Sequence, residues 1–376
     1  MREIVIVIPD LYLPTSQDPT GSRNRASETP APEAGSTDTS PALDAIARFG
    51  TREVLGDGWR AWLARWLGSE DIAATAPATV AARSIARVDA KAAWLATPLH
   101  LAAGLTTLHL DRRSILRVSS AELESLSADF DRTFRDSGLA LCPLPSGEAI
   151  LFCEAEGAAV TVEPARFVGE DIAAALPEGP AAPFLRRLGA EIEIWLHSHP
   201  VNRARAVRRE LPLSTFWFWG GGPLAPATGS TAAPVAASTG APPPGGRASI
   251  SASGSTPTGP VALFGADAYL NGLGRLTGHK CHPLPDPLDS VFGYSPAASA
   301  VAVVEIGPML QANSNWTLMD ALGELDRRVV DPAVRALRSG SFARMHLIAN
   351  DRLLTFGGRD HLRLWRRARP GLEGLR

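Results

Sequence analysis

The sequence has few cysteines and no long hydrophobic run. Its 376 residues include three cysteines, Cys142, Cys153 and Cys281, an odd number and too few for a disulfide framework. Such sparse thiol usage is typical of a reducing compartment, so we expect a cytoplasmic protein. No stretch approaches the roughly 18 apolar residues without charge that a transmembrane helix needs, so we expect no membrane-spanning segment.

An excess of either charge is also absent. The 37 Lys and Arg residues face 39 Asp and Glu residues, which gives a formal net charge of −2 at pH 7. A nearly neutral chain neither attracts nor repels a polyanion as a whole. Its basic residues are not interleaved with aromatic side chains, as those of nucleic-acid-binding surfaces are. We therefore expect neither a nucleic-acid nor a membrane partner.

Two low-complexity stretches, residues 15–41 and 223–260, are dominated by Pro, Ala, Gly, Ser and Thr. Such compositions cannot bury enough apolar surface to offset the entropy lost on ordering. The second stretch lies between two strand-like segments, so an elaborated loop is as natural an interpretation as a domain linker. The sequence predicts a single domain over residues 1–376 that carries two loosely structured insertions.

Short apolar runs predict several strands. Ile4–Ile8 is a continuous β-branched run, typical of a strand buried on both faces. It is followed by Pro9 and Asp10 rather than by a longer apolar region and a cleavage site, so it does not indicate a secretion signal. The other predicted strands are Thr215–Trp219, Pro260–Phe264, Ala300–Glu305, Met345–Ile348 and the alternating pair Leu362 and Leu364.

Capping residues and helical spacing predict three helices. The first begins at Ser119, which forms a capping-box pattern with Glu122, and it ends at Gly138. The second spans Pro183–Ser198 and is stopped by Pro200, and the third begins near Thr317, with Pro332 expected to kink or end it. Alternating strands and helices indicate an α/β fold, a mostly parallel sheet with helices on both faces.

Four parts of the sequence together resemble the alkaline-phosphatase-like superfamily. They are Ile4–Asp10, the run His199–Arg205 with Phe216–Gly222, the segment Ala321–Val330, and Leu347–Asp351. Within that superfamily they are similar to the cofactor-independent phosphoglycerate mutases and to an offshoot, the RpfE-type regulatory proteins, which the block from Trp94 to His100 also resembles. The resemblance implies an alkaline-phosphatase-like fold for most of the chain outside the two low-complexity stretches.

The resemblance also implies where metals would bind. Enzymes of the superfamily hold two divalent cations at the carboxyl ends of strands, which requires several converging carboxylates and imidazoles. Asp10 matches the first metal aspartate, and Asp351 matches the aspartate of a late Asp–His pair. Arg352 replaces that histidine, and an arginine has no lone pair for a metal. Residues 305–315, where another ligand pair belongs, contain no histidine but carry Gln311, Asn313 and Asn315.

A phosphate site is implied by other matched residues. Asn202 and Arg205 match positions that help to bind the phosphorylated substrate in the family. The glycines Gly220, Gly221 and Gly222 follow a strand, where their backbone amides can approach an anion. Further arginines nearby either hold phosphate through guanidinium contacts or form a solvated helix face, and these are Arg186, Arg187, Arg203, Arg208 and Arg209.

Three further patterns have both a functional and a structural interpretation. His197 and His199 are either a metal pair or residues at a helix end. His279, Cys281 and His282 are either ligands or parts of a loop, since the sequence offers no second cluster at zinc spacing. The tryptophans Trp59, Trp62 and Trp66 recur at helical spacing, which is more typical of a core stripe than of a binding platform.

These observations lead to three functional hypotheses. The first is a non-catalytic regulatory or ligand-sensing protein that has lost part of its metal site and binds a phosphorylated small molecule without a cofactor. The alternative is a divergent phosphoglycerate mutase or phosphohydrolase that binds Mn²⁺ or Zn²⁺ through Asp10, Asp351 and a partner such as His346 or Asp267. The third is a protein-interaction module that presents tryptophans at its surface.

Overall fold

A computed structural model describes residues 2–12, 40–85, 90–103, 108–154, 157–224, 256–257, 259–294, 298–357 and 360. Most of both low-complexity stretches, and the strand predicted at Leu362 and Leu364, lie outside these residues. A few residues at the ends of the two stretches are described. Ser40 and Pro41 begin a helix, and Pro223 ends a strand.

The described residues form thirteen strands, which are β1 Glu3–Ile8, β2 Thr51–Val54, β3 Ala92–Leu99, β4 Ala102–Ala103, β5 Leu108–His109, β6 Ala140–Pro143, β7 Ala149–Cys153, β8 Thr215–Pro223, β9 Val261–Phe264, β10 Cys281–His282, β11 Ser299–Val303, β12 Arg344–Ala349 and β13 Arg352–Gly357. They also form eleven α-helices, which are α1 Pro41–Phe49, α2 Gly58–Trp66, α3 Glu70–Ala73, α4 Pro77–Ala82, α5 Ser120–Thr133, α6 Ala182–His197, α7 Pro200–Val207, α8 Ala268–Thr277, α9 Gly307–Ala312, α10 Leu318–Leu325 and α11 Asp331–Arg338. In the part of the chain that is described, no helix is both long enough and apolar enough to cross a membrane.

Seven strands form a mixed sheet, called here the large sheet, in the order β10-β9-β11-β1-β12-β13-β2. The strands from β10 to β12 run parallel to one another, whereas β13 and β2 are antiparallel to their neighbours. All six side chains of the central strand β1 are buried. The predicted α/β class, with a mostly parallel sheet flanked by helices, is confirmed.

The β-branched run of β1 supplies the cores on both faces of the large sheet. Ile4, Ile6 and Ile8 belong to the core that includes residues of α1, α10 and α11. Val5 and Val7 belong to the opposite core, with residues of α2 and α8. Successive side chains of a strand point to opposite faces, so a strand with two covered faces must be apolar at every position.

Tryptophans serve the core rather than a surface. Trp59 and Trp66 of α2 are buried, and Trp62 between them is half-buried and stacks on Trp66 with ring centroids 6.2 Å apart. All of the nine tryptophans except Trp365 lie in the described chain, and none of those is exposed. The described residues therefore do not provide the tryptophan-rich surface of the third hypothesis.

Four strands form a second, antiparallel sheet, called here the small sheet, in the order β6-β7-β3-β8. The sequence predicts Thr215–Trp219 as a strand of one mostly parallel sheet, and that placement is wrong because β8 pairs with β3. Burial does not distinguish the two sheets, because all eight residues of β3, the partner of β8, are buried, as the residues of a central parallel strand are. Helices α5 and α6 cover one face of this sheet, and α4 and α8 contribute to the core on the other face.

The three predicted helices are present. Ser119 caps α5 through the predicted capping box with Glu122, and the following turn ends at Gly138 in the left-handed conformation. Pro332 does not end the third helix, since helical structure continues to the end of α11. A π-helical segment, Asp326–Val330, separates α10 from α11, and such a wider turn accommodates the amide and carbonyl groups that a proline disrupts.

Candidate functional site

Asp10 lies just beyond the carboxyl end of β1, where the resemblance implies a metal aspartate, but its carboxylate caps a helix. Its Oδ1 accepts the backbone N–H of Ile306 at 2.9 Å, and its Oδ2 accepts the N–H of Gly307 at 2.6 Å. Both contacts satisfy amides at the start of α9, which have no partner inside the helix. The two oxygens of Asp10 are therefore committed to backbone donors.

Asp351 occupies the tip of a hairpin rather than the end of a parallel strand. Asn350 and Asp351 have φ angles of 52° and 54° and form the two-residue turn between β12 and β13, because Ala349 pairs directly with Arg352. The carboxylate of Asp351 is bound by Arg166, with Nη2–Oδ1 at 2.9 Å, and by the hydroxyl of Tyr12 at 3.1 Å. Its ionic partner is therefore Arg166.

His346, an expected partner of those aspartates, lies in a buried polar cluster inside β12. It pairs in register with Val5 of β1, so it does not reach the strand end at Asp10. Its Nε2 lies 3.2 Å from Glu3 Oε2, and its Nδ1 lies 3.1 Å from Thr355 Oγ1. Burial alone would raise the pKa of Glu3, but the hydrogen bond and charge of His346, the hydrogen bond from Trp66 and the charge of Arg344 together lower it.

His199 and Cys281, two other possible metal ligands, also bond to groups within the chain. His199 caps α7 by accepting the N–H of Val201, and its Nε2 lies 3.0 Å from Asp129 Oδ2. Cys281 donates to the carbonyl of Leu270. Within the described residues, no group of three or more His, Cys, Asp or Glu side chains is arranged to hold a metal ion. The donor set of this region does not fit a two-metal centre.

The residues implied in phosphate binding are not gathered into one site. Asn202 donates to the carbonyls of Leu196 and Leu213 and accepts the N–H of Leu213, each at 2.8 Å. Arg205 is buried, donates to the carbonyl of Leu211 and pairs with Glu122 at 3.1 Å. Both side chains stabilise the turn after α7 through these contacts.

The glycine run after the aromatic strand is explained by packing. Gly220, Gly221 and Gly222 lie within β8, about 17 Å or more along the strand from its start near Arg205, at about 3.4 Å per residue. A Cβ on Gly221 would lie 2.0 Å from the carbonyl oxygen of Ala93 on β3. The amide of Gly220 donates to Thr161 Oγ1 at 3.0 Å. Gly221 therefore allows the backbones of β3 and β8 to approach each other.

Most of the nearby arginines are also paired within the chain. Arg208 contacts Glu122 and Glu210, Arg187 contacts Glu191, Arg186 donates to the carbonyl of Pro177, and Arg203 donates to that of Ser198. Arg209 ends the run in a left-handed conformation with φ of 60°. Arg208 and Arg187 therefore form ion pairs, and Arg186 and Arg203 bond to backbone carbonyls.

A cleft lies where the carboxyl ends of β1, β9 and β11 face the small sheet. Its inner part, a cavity of about 40 Å³, is lined by polar side chains, which include Asp10, Arg60, Thr97, Arg117, Glu148, Glu163, Trp219, Asp267 and Glu305. Its outer part, about 400 Å³, shares Arg117, Asp267 and Glu305 with the inner part and opens between apolar side chains and Arg328. Open α/β sheets bind ligands at this edge, so the cleft is the candidate site.

Two arginines pair with four of the carboxylates of the cleft. Arg60 of α2 binds Glu163 through two hydrogen bonds, of 3.0 and 2.9 Å, and approaches Asp267 at 3.5 Å. Arg117 binds Glu305 through Nε and Nη2, at 2.8 and 2.6 Å, and its Nη1 lies 3.5 Å from Glu148. Each arginine joins a side chain beside the large sheet to one beside the small sheet.

Hydrogen bonds continue this network into the small sheet. The indole N–H of Trp219 donates to Thr97 Oγ1 at 2.8 Å, and the hydroxyl of Thr97 donates to Glu148 Oε1 at 2.7 Å. The guanidinium of Arg60 also lies over the Trp219 ring, 4.8 Å from its centroid. A group that enters the cleft therefore meets side chains whose positions depend on both sheets.

The carboxyl groups of the cleft have shifted pKa values. Burial raises the pKa of Glu305 from 4.5 to about 7, the charge of Arg117 opposes the rise, and the charges of Asp10 and Glu148 add to it. Burial also raises the pKa of Asp267, against the charge of Arg60. Shifted carboxyl groups in a cleft are typical of functional sites, and ion-pair networks also produce them.

Four central side chains of this cleft carry no functional signal in the sequence. Arg60, Arg117, Glu148 and Glu163 come from distant parts of the chain and match no motif. Glu305 carried one usable signal, since it ends the predicted strand Ala300–Glu305, and polar side chains that follow parallel strands meet at one sheet edge. The arginines gave no comparable signal, because only the folded chain brings them to that edge.

Comparisons with known proteins do not establish a family. No protein-family model matches the chain, and no curated protein matches it. Solved structures that are similar include the cofactor-independent phosphoglycerate mutase from Thermoplasma acidophilum DSM 1728, with 12% identity and a TM-score of 0.37 over 95% of this chain and 90% of that chain. The PH0037 protein from Pyrococcus horikoshii aligns over 100% of this chain and 92% of that chain, with 11% identity and a TM-score of 0.42. Because both TM-scores are below 0.5, we draw no conclusion about activity from either likeness.

Proposed function

We propose that this chain is a non-catalytic, ligand-sensing regulatory protein, and that its sensing site is the cleft between the two sheets. The observation that supports this most directly is the pairing of the cleft carboxylates with guanidinium and backbone N–H groups. Arg60 and Arg117 occupy the centre of the cleft and bind Glu163 and Glu305, while Asp10 binds backbone amides. Side chains engaged in this way are not free to assemble two cations.

The same contacts suggest how binding would be sensed. Arg117 contacts Glu305 at the end of the large sheet and Glu148 next to the small sheet. A ligand that changes either contact changes the interactions between the sheets, and it shifts a conformational equilibrium by its difference in affinity for the two arrangements. The proposal requires no chemical step.

Metal titration tests the proposal against the enzyme alternative. Mn²⁺ and Zn²⁺ are titrated by calorimetry into metal-stripped protein and into Asp10→Asn, and phosphoglycerate mutase and phosphatase activities are assayed with both metals. We expect no specific binding of two ions and no turnover. Tight binding of about two ions that is lost in Asp10→Asn, together with metal-dependent turnover, would replace the proposal by a divergent phosphoglycerate mutase or phosphohydrolase.

A further inference from the structure

We propose that the outer part of the cleft binds a small organic cation, a primary ammonium group attached to an apolar body. This inference rests on the proposed function, because it names the ligand class of the same cleft. It is carried by an incompletely bonded buried carboxylate, by the balance of charge around the cleft and by the apolar walls of its outer part.

Asp267 lacks a strong donor on one oxygen. The residue is 7% exposed and lines both parts of the cleft. Its Oδ1 accepts the N–H of Leu270 at 2.9 Å and so caps α8. The contact of Oδ2 among the described residues is with Arg60 Nη2 at 3.5 Å, the outer limit of a hydrogen bond. A buried carboxylate needs more donors than this, and an ammonium group supplies three.

The charged side chains of the cleft leave a surplus of negative charge. Both parts together are lined by three arginines and six carboxylates, which are Arg60, Arg117 and Arg328 and then Asp10, Glu148, Glu163, Asp267, Asp286 and Glu305. When all are ionised, the sum is three minus six, or −3. A phosphate would add to this surplus inside a region of low dielectric constant, whereas an ammonium group reduces it.

The walls of the outer part favour an organic cation over a metal ion. They include Leu284, Leu288, Val303, Val304 and Met309, and they enclose about 400 Å³, a volume typical of small-molecule sites. Apolar walls offer nothing to a hydrated metal ion, and within the described chain no group of three or more ligand side chains is arranged to bind one. An alkyl or aryl body would instead bury its surface against these side chains.

The cleft also couples binding to a proton. The pKa of Glu305 is about 7, so near neutral pH this carboxyl group is partly protonated. A neighbouring cation favours the ionised form and lowers that pKa. The binding of an ammonium ligand at pH 7 should therefore release a fraction of a proton, and that release becomes smaller above pH 8.

Three probes that share one apolar body separate charge from hydrophobicity. n-Hexylammonium, 1-hexanol and hexanoate are titrated into the full-length protein by calorimetry at pH 7, in two buffers with different ionisation enthalpies. We expect n-hexylammonium to bind to one site at least tenfold more tightly than either other probe, with an apparent enthalpy that depends on the buffer because a proton is released. Equal affinity for the three probes would overturn the inference.

Variants locate the binding site. Asp267→Asn keeps a side chain that caps helices well and should weaken n-hexylammonium binding at least tenfold. Glu124→Gln, which changes an exposed carboxylate on α5, should leave the affinity unchanged within twofold. Asp286→Lys at the exposed rim should weaken binding at least threefold without touching the core, so the test survives if Asp267→Asn does not fold. Unchanged affinity in Asp286→Lys and in a folded Asp267→Asn contradicts the assignment.

The two proposals fail on different results. If hexanoate or 3-phosphoglycerate binds and n-hexylammonium does not, the proposal of a cationic ligand is wrong, but the proposal of a ligand-sensing protein stands. Metal-dependent turnover overturns ligand sensing itself. Binding of n-hexylammonium without turnover, weakened by Asp286→Lys, supports both.

Discussion

Glu305 is a half-buried carboxyl group whose ionisation is governed by its neighbours from both sheets. Its carboxylate lies against Arg117, and the nearby Asp10 and Glu148 are both acidic. The desolvation that raises its pKa is only partly offset by the guanidinium. At the scale of single residues, Glu305 is therefore the group through which pH acts on the cleft.

Glu305 should make the protein less stable as pH rises. Its pKa is about 7 in the folded chain against 4.5 for the ordinary group, so the folded state binds more protons between these values and loses stability as pH increases. The difference of about 2.5 pKa units corresponds to roughly 3 kcal/mol. We expect the free energy of unfolding of the native protein, relative to Glu305→Gln, to fall by about this amount between pH 4.5 and 8.

Urea unfolding at several pH values measures that difference. Subtracting the free energy of unfolding of Glu305→Gln from that of the native protein removes the contributions of other groups. One of these is Glu3, whose lowered pKa changes stability with pH in the opposite direction. Glu3 favours folding above its ordinary pKa and loses this contribution as pH falls through its folded value. A difference that does not vary with pH would show that Glu305 has an ordinary pKa.

At the scale of elements, Asp326 fixes the start of α1. Asp326 lies at the beginning of the π-helical segment and is 2% exposed. Its carboxylate accepts the backbone N–H groups of Leu43 at 2.7 Å and Ala42 at 3.2 Å. One side chain from a distant helix thereby satisfies two of the first amides of α1, which has no side-chain cap of its own from Ser40.

Replacement of Asp326 should therefore loosen α1. Asp326→Ala leaves two buried amides without acceptors, at a cost of about 2–3 kcal/mol. Glu324→Ala, on the preceding helix, removes surface ion pairs with Arg327 and Arg328 and should cost less than about 1 kcal/mol. Chemical denaturation gives both values, and hydrogen exchange should show faster exchange in α1 for Asp326→Ala. Similar losses in both variants would contradict the capping role.

Two glycines should respond in opposite ways to alanine. Gly221→Ala places a methyl group 2.0 Å from the carbonyl oxygen of Ala93, so β3 and β8 must separate, and we expect a loss of about 3 kcal/mol or more. Gly189 lies in α6 with no atom within 4 Å of an added Cβ, and Gly189→Ala should stabilise the protein by about 0.5–1 kcal/mol. The melting temperature of each variant is compared with that of the native protein. An unchanged melting temperature in Gly221→Ala would argue against the close approach of β3 and β8.

At the scale of the whole molecule, ion pairs join the two sheets around the cleft. Arg60 with Glu163, Arg117 with Glu305, and Arg166 with Asp351 each connect a residue beside one sheet to a residue beside the other. Arg113 adds a bond to the carbonyl of Leu310 at 3.2 Å. Partly buried pairs of this kind cost some desolvation energy, so their presence is better explained by the placement of the sheets than by stability alone.

The Arg117–Glu305 pair should show strong coupling in a double-mutant cycle. Arg117→Met leaves two carboxylates beside the cleft without their guanidinium and should cost about 3–5 kcal/mol. Addition of Glu305→Gln should recover part of that loss, which gives a coupling energy of about 1–3 kcal/mol. The surface pair Arg335–Asp331 serves as the control, with an expected coupling below about 0.5 kcal/mol. Additive losses at Arg117 and Glu305 would mean that the pair does not join the sheets energetically.

Local sequence patterns were sufficient to predict the elements that are stabilised by residues close together in the sequence. The β-branched run of β1, the capping box at Ser119 and the proline and stripe of α6 each specify their structure through neighbours a few residues away. These contacts form within one strand or one helix, so periodicity and capping chemistry predict them directly. The α/β class followed from the alternation of such elements.

Only the tertiary structure decided which sheet each strand joins and which charged groups meet. The apolar pattern of Thr215–Trp219 is compatible with either sheet. The turn at Asn350 and Asp351 forms because β13 pairs with β12. Arg205 and Asn202 gained intramolecular partners that motif matching does not reveal. Arg60 and Arg117 reach the cleft from segments far apart in the chain, and such long-range pairings depend on the packing of both sheets. Short-range patterns therefore specify the class of fold and the elements with clear caps or apolar runs, while packing sets the charge and shape of the candidate site.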